Sequence, residues 1–213
     1  AFSLLLSTGL YFSSCTKKPP ADDFDLLISS GKIVDGTGNP WFAGDLGIKG
    51  DRIAWIGRLK NVRARKAIDA SGLFVAPGFI DMLGQSETML LVDKRAMSKI
   101  TQGITTEVTG EGESIAPVNE AILKDWQPTL DKYHLTVDWK TLDEYFRRLE
   151  REGSTINLGT FVGATQIREY VLGHDDRAPT SDELKRMKEL VAQGMREGAL
   201  GLSTSLVYAP ASY

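Results

Sequence analysis

Phe74-Val75-Ala76-Pro77-Gly78-Phe79-Ile80, residues 74–80, divides the sequence into two textures. Before it, from Phe24 to Val75, lie short aliphatic and β-branched runs: Asp25-Leu26-Leu27-Ile28, Lys32-Ile33-Val34, Asp45-Leu46-Gly47-Ile48 and Arg52-Ile53-Ala54-Trp55-Ile56-Gly57. Asp35-Gly36-Thr37-Gly38 and Lys49-Gly50-Asp51 fall between them, where glycine takes positive φ freely, so hairpins and a small antiparallel sheet are expected. That segment holds no cluster of titratable residues, and its expected role is structural.

After Val75, apolar strand-like runs alternate with longer amphipathic stretches. Residues 74–80, 104–109, 156–162 and 199–203 read as strands. Residues 88–100, 141–151 and 181–196 read as helices: Thr141-Leu142-Asp143-Glu144 is a capping-box pattern, and Gly103, Gly153 and Gly198 follow the three helix ends. Strand and helix alternating in this way predict a parallel sheet with right-handed crossovers. Such a start suits a doubly wound sheet or a closed eight-stranded barrel, and composition does not separate them. The last expected strand ends a few residues before Tyr213, so a barrel would show about half of its strands and a partial sequence is expected. The stretch 110–140 is long for a connection and carries Pro117, Pro128, Trp126 and Trp139, which marks it as an ordered loop or insertion.

At 213 residues, a quarter of them charged, the chain is long enough to bury a real core. Its net charge of −3 supplies no basic surface for phosphate, which argues against nucleic acid as a partner. The one cysteine, Cys15, leaves no intrachain disulfide and no cysteine zinc cluster. Residues 1–12 are apolar or small, too short to span a bilayer but suited to the core of a signal peptide. Phe12-Ser13-Ser14-Cys15 resembles a bacterial lipoprotein box, and residues 16–23 read as a proline-stiffened tether. An exported, cell-envelope lipoprotein held to the membrane through lipidated Cys15 is expected, against a plain secretory peptide with an incidental cysteine.

In both parallel architectures ligands gather at the carboxyl ends of strands. That rule selects Asp81 to Glu87, Gly110 to Ser114, Gly163 to Gln166, and Ser203 to Ser205. Glu111 and Glu113, in a glycine-rich turn, suit a cation or proton transfer, or are solvated loop residues. Gln85, Ser86 and Glu87 suit hydrogen bonding to a substrate, or capping of the helix that follows. Asp81 neighbours a ligand or ties down its turn. His134 and His174 lie in polar stretches and read as surface residues. Ser203 and Ser205 have no histidine beside them, so no serine hydrolase is assigned. Neither Gly36-Thr37-Gly38 nor Gly110-Glu111-Gly112 has the lysine and the strand-to-helix context of a phosphate loop.

Several stretches together resemble the amidohydrolase superfamily, and within it the N-acyl-D-amino-acid deacylase (D-aminoacylase) branch. Asp25 to Gly38 and Gly47 to Gly57 look like its opening β-sandwich. Ile68-Asp69-Ala70-Ser71-Gly72-Leu73-Phe74-Val75-Ala76-Pro77-Gly78-Phe79-Ile80-Asp81 looks like its approach to barrel strand one, Gln102-Gly103-Ile104-Thr105-Thr106 its second strand, and Glu197 to Thr204 its fourth. The resemblance implies an α/β fold: a small N-terminal antiparallel β-sandwich part over residues 24–75, then an incomplete (β/α)8 TIM-type barrel over 76–213 with about its first four strands. It implies hydrolysis of a small-molecule amide at a non-peptide C–N bond, with one divalent metal, zinc, as cofactor. Glu111 is then the expected metal ligand, with Glu113 the alternative because this run is one residue shorter than the family's; Gln85 and Ser86 are the expected substrate contacts, and the catalytic residues are expected beyond Tyr213.

The departures are specific. Where the family carries a His-x-His pair after strand one, this chain has Leu83 and Gln85, and neither is a good zinc ligand. Where D-aminoacylase relatives carry a metal-binding cysteine, it has Gly110-Glu111-Gly112-Glu113, and Ala164 stands where relatives often have histidine. The competing expectation is a non-catalytic, lipid-anchored binding protein on the same scaffold.

Overall fold

The computed structural model describes residues 24–210 together with Ser212. The expected signal segment 1–15, with Cys15, and the tether 16–23 lie outside the described residues. Two compact units meet in sequence between Pro77 and Gly78.

The first unit is one mixed sheet. Its strands are β1 (Phe24–Ile33), β2 (Phe42–Lys49), β3 (Arg52–Gly57), β4 (Ala64–Asp69) and β5 (Phe74–Val75). Their order is β3-β2-β1-β4, with β5 also on β1. The hairpins β1/β2 and β2/β3 are antiparallel, as expected. The expectation of an antiparallel sheet is otherwise corrected: β4 and β5 both run parallel to β1. The chain between β3 and β4 brings Ala64 alongside Phe24, so β4 starts where β1 starts and follows its direction. The runs 25–28 and 32–34, which looked like two strands, fall along one strand that ends at Ile33, with a bulge between Ile28 and Gly31. Asp45 secures the bulge: its Oδ1 accepts the Ser30 N–H at 2.8 Å, and its Oδ2 accepts the Leu59 N–H at 2.7 Å. Ser30 itself sits at φ 62°.

The second unit is a mixed α/β body with small parallel sheets. Strands β6 (Phe79–Asp81), β7 (Ile104–Thr109) and β8 (Asn157–Thr160) form a parallel sheet in that order. Strands β9 (Val162–Gly163) and β10 (Leu202–Ser203) form a parallel pair. The four expected strand regions thus occur in order, but the described residues close no barrel. The expected first strand, 74–80, is split between the units. Pro77 lacks the N–H a ladder needs, so β5 stops before it and β6 begins after Gly78.

The helices are α1 (Glu87–Val92), α2 (Met97–Ile100), α3 (Glu120–Tyr133), α4 (Leu142–Glu152), α5 (Ala164–Leu172) and α6 (Ser181–Arg196). Sequence predicts one helix over 88–100; the chain instead breaks at Asp93, whose carboxylate holds the Arg95 guanidinium, and Ala96 takes φ 46°. The long stretch 110–140 contains α3, started by the Asn119 side chain accepting the Ile122 N–H. Thr141 and Thr180 each close a capping box, with Glu144 and Glu183. None of the helices among the described residues is long and apolar enough to cross a membrane.

The stripe Leu142, Tyr145 and Leu149 turns α4 onto a core with Trp139, Ile115, Ile122, Val162 and Ile167. Spacings of three and four residues put those α4 side chains on one face. Gly194 of α6 admits Val162, whose methyl occupies the space a side chain would take.

Candidate active site

The turns after β6 and β7, the start of α5 and the segment after β10 surround one cavity of about 450 Å³. Gln85, Glu87, Glu111, Glu113, Thr165 and Ser205 are among its lining residues, and Asp125 and Trp126 of α3 add a further wall. Sequence placed all of these except Asp125 and Trp126 at strand ends. Helix α3 was not expected from sequence: Trp126 and Pro128 gave the stretch the look of a loop, because a proline inside a helix loses a backbone hydrogen bond and crowds the carbonyl four residues before it, yet the helix runs through Pro128.

The loop after β7 is fixed from four directions. Ser203 of β10 donates its hydroxyl to the Gly110 carbonyl and accepts the Gly112 N–H at 3.1 Å. The Gly112 carbonyl accepts the Thr165 N–H at 2.9 Å at the first turn of α5. Gly112 has φ 74° and lies against Ser205, so both its conformation and its close packing call for glycine. The buried Ser114 hydroxyl donates to the Ala116 carbonyl at 2.7 Å and accepts the Gly163 N–H at 3.1 Å. Gln166, 1% exposed, donates to the Pro117 carbonyl at 2.8 Å, and the Trp139 indole donates to the Ile115 carbonyl at 3.0 Å. Glu111 and Glu113 are both exposed on this frame, and the Glu111 carbonyl accepts the Glu113 N–H at 2.8 Å. Ser203 is a staple for this loop.

The turn after β6 has a different support. Gln85 is exposed and lines the cavity; Ser86 is half-buried, and its N–H donates to Glu107 Oε1 at 3.1 Å. Glu107, in the middle of β7, is 0% exposed and has one oxygen with no partner among the described residues. Lys99 of α2 lies 2.5 Å from Asp81 Oδ2 and 3.4 Å from Glu107 Oε1. The Lys99 ammonium, followed by the Leu83 N–H, holds the Asp81 carboxyl below its usual range, and Asp81 in turn raises Lys99. Burial pushes the Glu87 carboxyl up, and the charge of Glu107 acts in the same direction. Glu107 escaped sequence reading because a lone charge in Thr106-Glu107-Val108 looks like the solvent face of a strand. In a parallel strand covered on both faces, that assumption fails.

His134 ends α3 at φ 52°, and His174 pairs with Asp125 at 3.1 Å; neither lines the cavity. The donors that face the cavity do not by themselves fit zinc. A catalytic zinc takes about three protein ligands, and among the described residues no three of histidine, cysteine, aspartate or glutamate gather in a way that could hold a metal ion. Leu83 offers no donor, Gln85 only a neutral carbonyl, and Glu111 a single carboxylate.

No family profile matches the chain. It is 37% identical over 190 residues to a D-aminoacylase of Alcaligenes xylosoxydans xylosoxydans, covering 89% of this chain and 39% of that protein. An N-acyl-D-aspartate deacylase of the same organism is 34% identical over 189 residues, covering 88% of this chain and 38% of the relative. Among solved structures, an N-acyl-D-glutamate deacylase from Bordetella bronchiseptica, complexed with zinc and a phosphonate mimic of the tetrahedral intermediate, superposes with a TM-score of 0.78 at 35% identity. It is matched over 90% of this chain and 40% of its own. A D-aminoacylase structure described as defining a novel subset of amidohydrolases gives a TM-score of 0.80 at 35% identity, over 89% and 40% of the two chains. The chain therefore spans about two fifths of the length of these relatives.

Proposed function

This chain belongs to the D-aminoacylase-like amidohydrolases, and from that kinship we propose that the whole protein hydrolyses the amide bond of an N-acyl amino acid. The observation that carries the reading is the placement of the cavity. It lies at the carboxyl ends of consecutive parallel strands, in a chain aligned with deacylases over nearly all its described length. On this reading β6, β7, β8 with β9, and β10 are the first four strands of a (β/α)8 barrel whose other strands lie in the rest of the protein.

Within this chain, Gln85 offers an amide that donates to a substrate carbonyl or carboxylate, with Ser86 beside it in the same turn. Glu87 faces the same space with a carboxyl that burial inclines to hold its proton. Glu111 is the donor this chain offers to a divalent metal; zinc there needs further ligands from elsewhere in the whole protein. When bound, such a metal polarises a carbonyl and acidifies water. The fixed backbone of residues 110–118 sets where the Glu111 carboxylate stands. Export and membrane attachment through Cys15 belong to the same proposal and rest on the sequence of residues 1–15.

The test is made on the full-length protein, by elemental analysis for zinc together with release of free amino acid from N-acyl-D-amino acids. About one zinc per chain with turnover, and loss of that zinc in Glu111→Ala, is the expected result. Retained zinc in the variant would remove Glu111 from the site. The replacement of a His-x-His pair by Leu83 and Gln85 favours a second reading, a binding protein on the same scaffold. Ligand binding without metal or turnover would select it.

A further inference from the structure

The turn that presents Gln85 is held by an ion network of Lys99, Asp81 and Glu107. We infer that Glu107, in partnership with Lys99, is a positioning residue for Gln85, locking the backbone of residues 82–86 so that this side chain faces the cavity. The neighbours of Glu107 in β7, Thr106 and Val108, show what an ordinary strand position carries. A carboxylate wholly removed from water is unfavourable unless it is paired and hydrogen-bonded. Here one oxygen accepts the Ser86 N–H and faces the Lys99 ammonium.

The same ammonium bonds Asp81, and Asp81 accepts the Leu83 N–H at 3.2 Å. One cation therefore organises two carboxylates, and each of them grips a backbone N–H on either side of Gly84. The Gly84 N–H completes the attachment by donating to the Val108 carbonyl at 2.8 Å. Any side chain at position 84 would collide with the Glu107 carboxylate, so turn and carboxylate are fitted to each other. Anchors at Leu83, Gly84 and Ser86 leave Gln85 as the exposed residue of the turn that meets the cavity. Apolar packing alone would hold the turn less specifically, because burial is non-directional whereas a hydrogen bond to a fixed carboxylate sets orientation.

The kinetic part of the test rests on the hydrolase reading; the structural part does not. In the full-length protein, Lys99→Met keeps the apolar stem and removes the charge, and Lys99→Arg restores it. Hydrogen exchange of the peptide spanning residues 82–88 is expected to accelerate about tenfold in Lys99→Met while exchange in α6 stays unchanged. Lys99→Arg is expected to recover most of the protection. With N-acyl-D-amino acids as substrates, kcat is expected to fall about tenfold in Lys99→Met with KM little changed. Glu107→Gln, which keeps the shape and loses the charge, should move the same observables in the same direction and serves if Lys99→Met does not fold. Wild-type exchange in the 82–88 peptide of both variants would overturn the inference, as would an equal acceleration throughout the unit. If the wild-type protein turns over no N-acyl amino acid, the hydrolase reading falls and the exchange experiment still decides the role of Glu107.

Discussion

Gly112 donates its backbone N–H to the Ser203 hydroxyl at 3.1 Å, across 91 residues of sequence. The same hydroxyl donates to Gly110, so a single side chain spans both glycines that flank Glu111. Ser203→Ala should cost about 1 kcal/mol of stability, the usual net worth of a hydrogen bond with some penalty for the groups left behind. Urea denaturation of the full-length protein measures it, and an unchanged midpoint would show that the staple is dispensable.

Trp139 is the largest fully buried side chain, stacked edge-on to Tyr145 at 5.5 Å and bonded through its indole to the Ile115 carbonyl. Trp139→Phe retains an aromatic ring but orphans that carbonyl. A loss of about 1–3 kcal/mol is expected, from the unmet acceptor and the smaller ring. Trp139→Ala, which adds a cavity, should cost more, and equal losses in the two variants would refute the hydrogen-bond contribution.

Glu87 gives a pH signature. Its folded carboxyl is raised above 4.5 by burial and then by Glu107, so the fold favours the protonated form. The ionised form opposes folding, and that opposition grows as pH rises from 4.5 through the folded value. Glu87→Gln should therefore melt at a higher temperature than wild type near pH 8, with the difference closing as pH falls to about 4. A Tm difference independent of pH would contradict the assignment.

His174 carries the opposite sign. Its hydrogen bond to Asp125 raises it above 6.5, so its stabilisation is complete below 6.5 and is lost as pH rises through the folded value. His174→Gln should lower Tm below pH 6.5 and become neutral in alkaline buffer. The pair is mostly exposed, so the effect is small and should shrink further in salt.

What could be read from sequence was what is local. Thr141-Leu142-Asp143-Glu144 fixes a helix start within four residues, and the cap appears with both of its hydrogen bonds. The parallel strand β4 was missed, since Ala64-Arg65-Lys66-Ala67-Ile68-Asp69 shows little alternation and its partner Phe24 to Ser29 lies some 40 residues away. Helix α5 was missed for a related reason: Gly163-Ala164-Thr165-Gln166 carries no capping side chain, and its first turn is held by the Gly112 carbonyl instead. Among the site residues, Gln85 and Glu111 were reachable from their places at strand ends. Asp125, Trp126 and Glu107 were not, because their roles depend on which strand or helix packs beside them.

The loop from Gly110 to Val118 takes its shape from bonds to α5, to β9 and β10 and to the segment before α4, all supplied by the chain itself. Its conformational entropy is surrendered when the chain folds, leaving little backbone order to be acquired on association. A molecule entering the cavity would thus meet a preset surface, and discrimination among ligands would follow from shape and charge at fixed positions, with loop rearrangement contributing little.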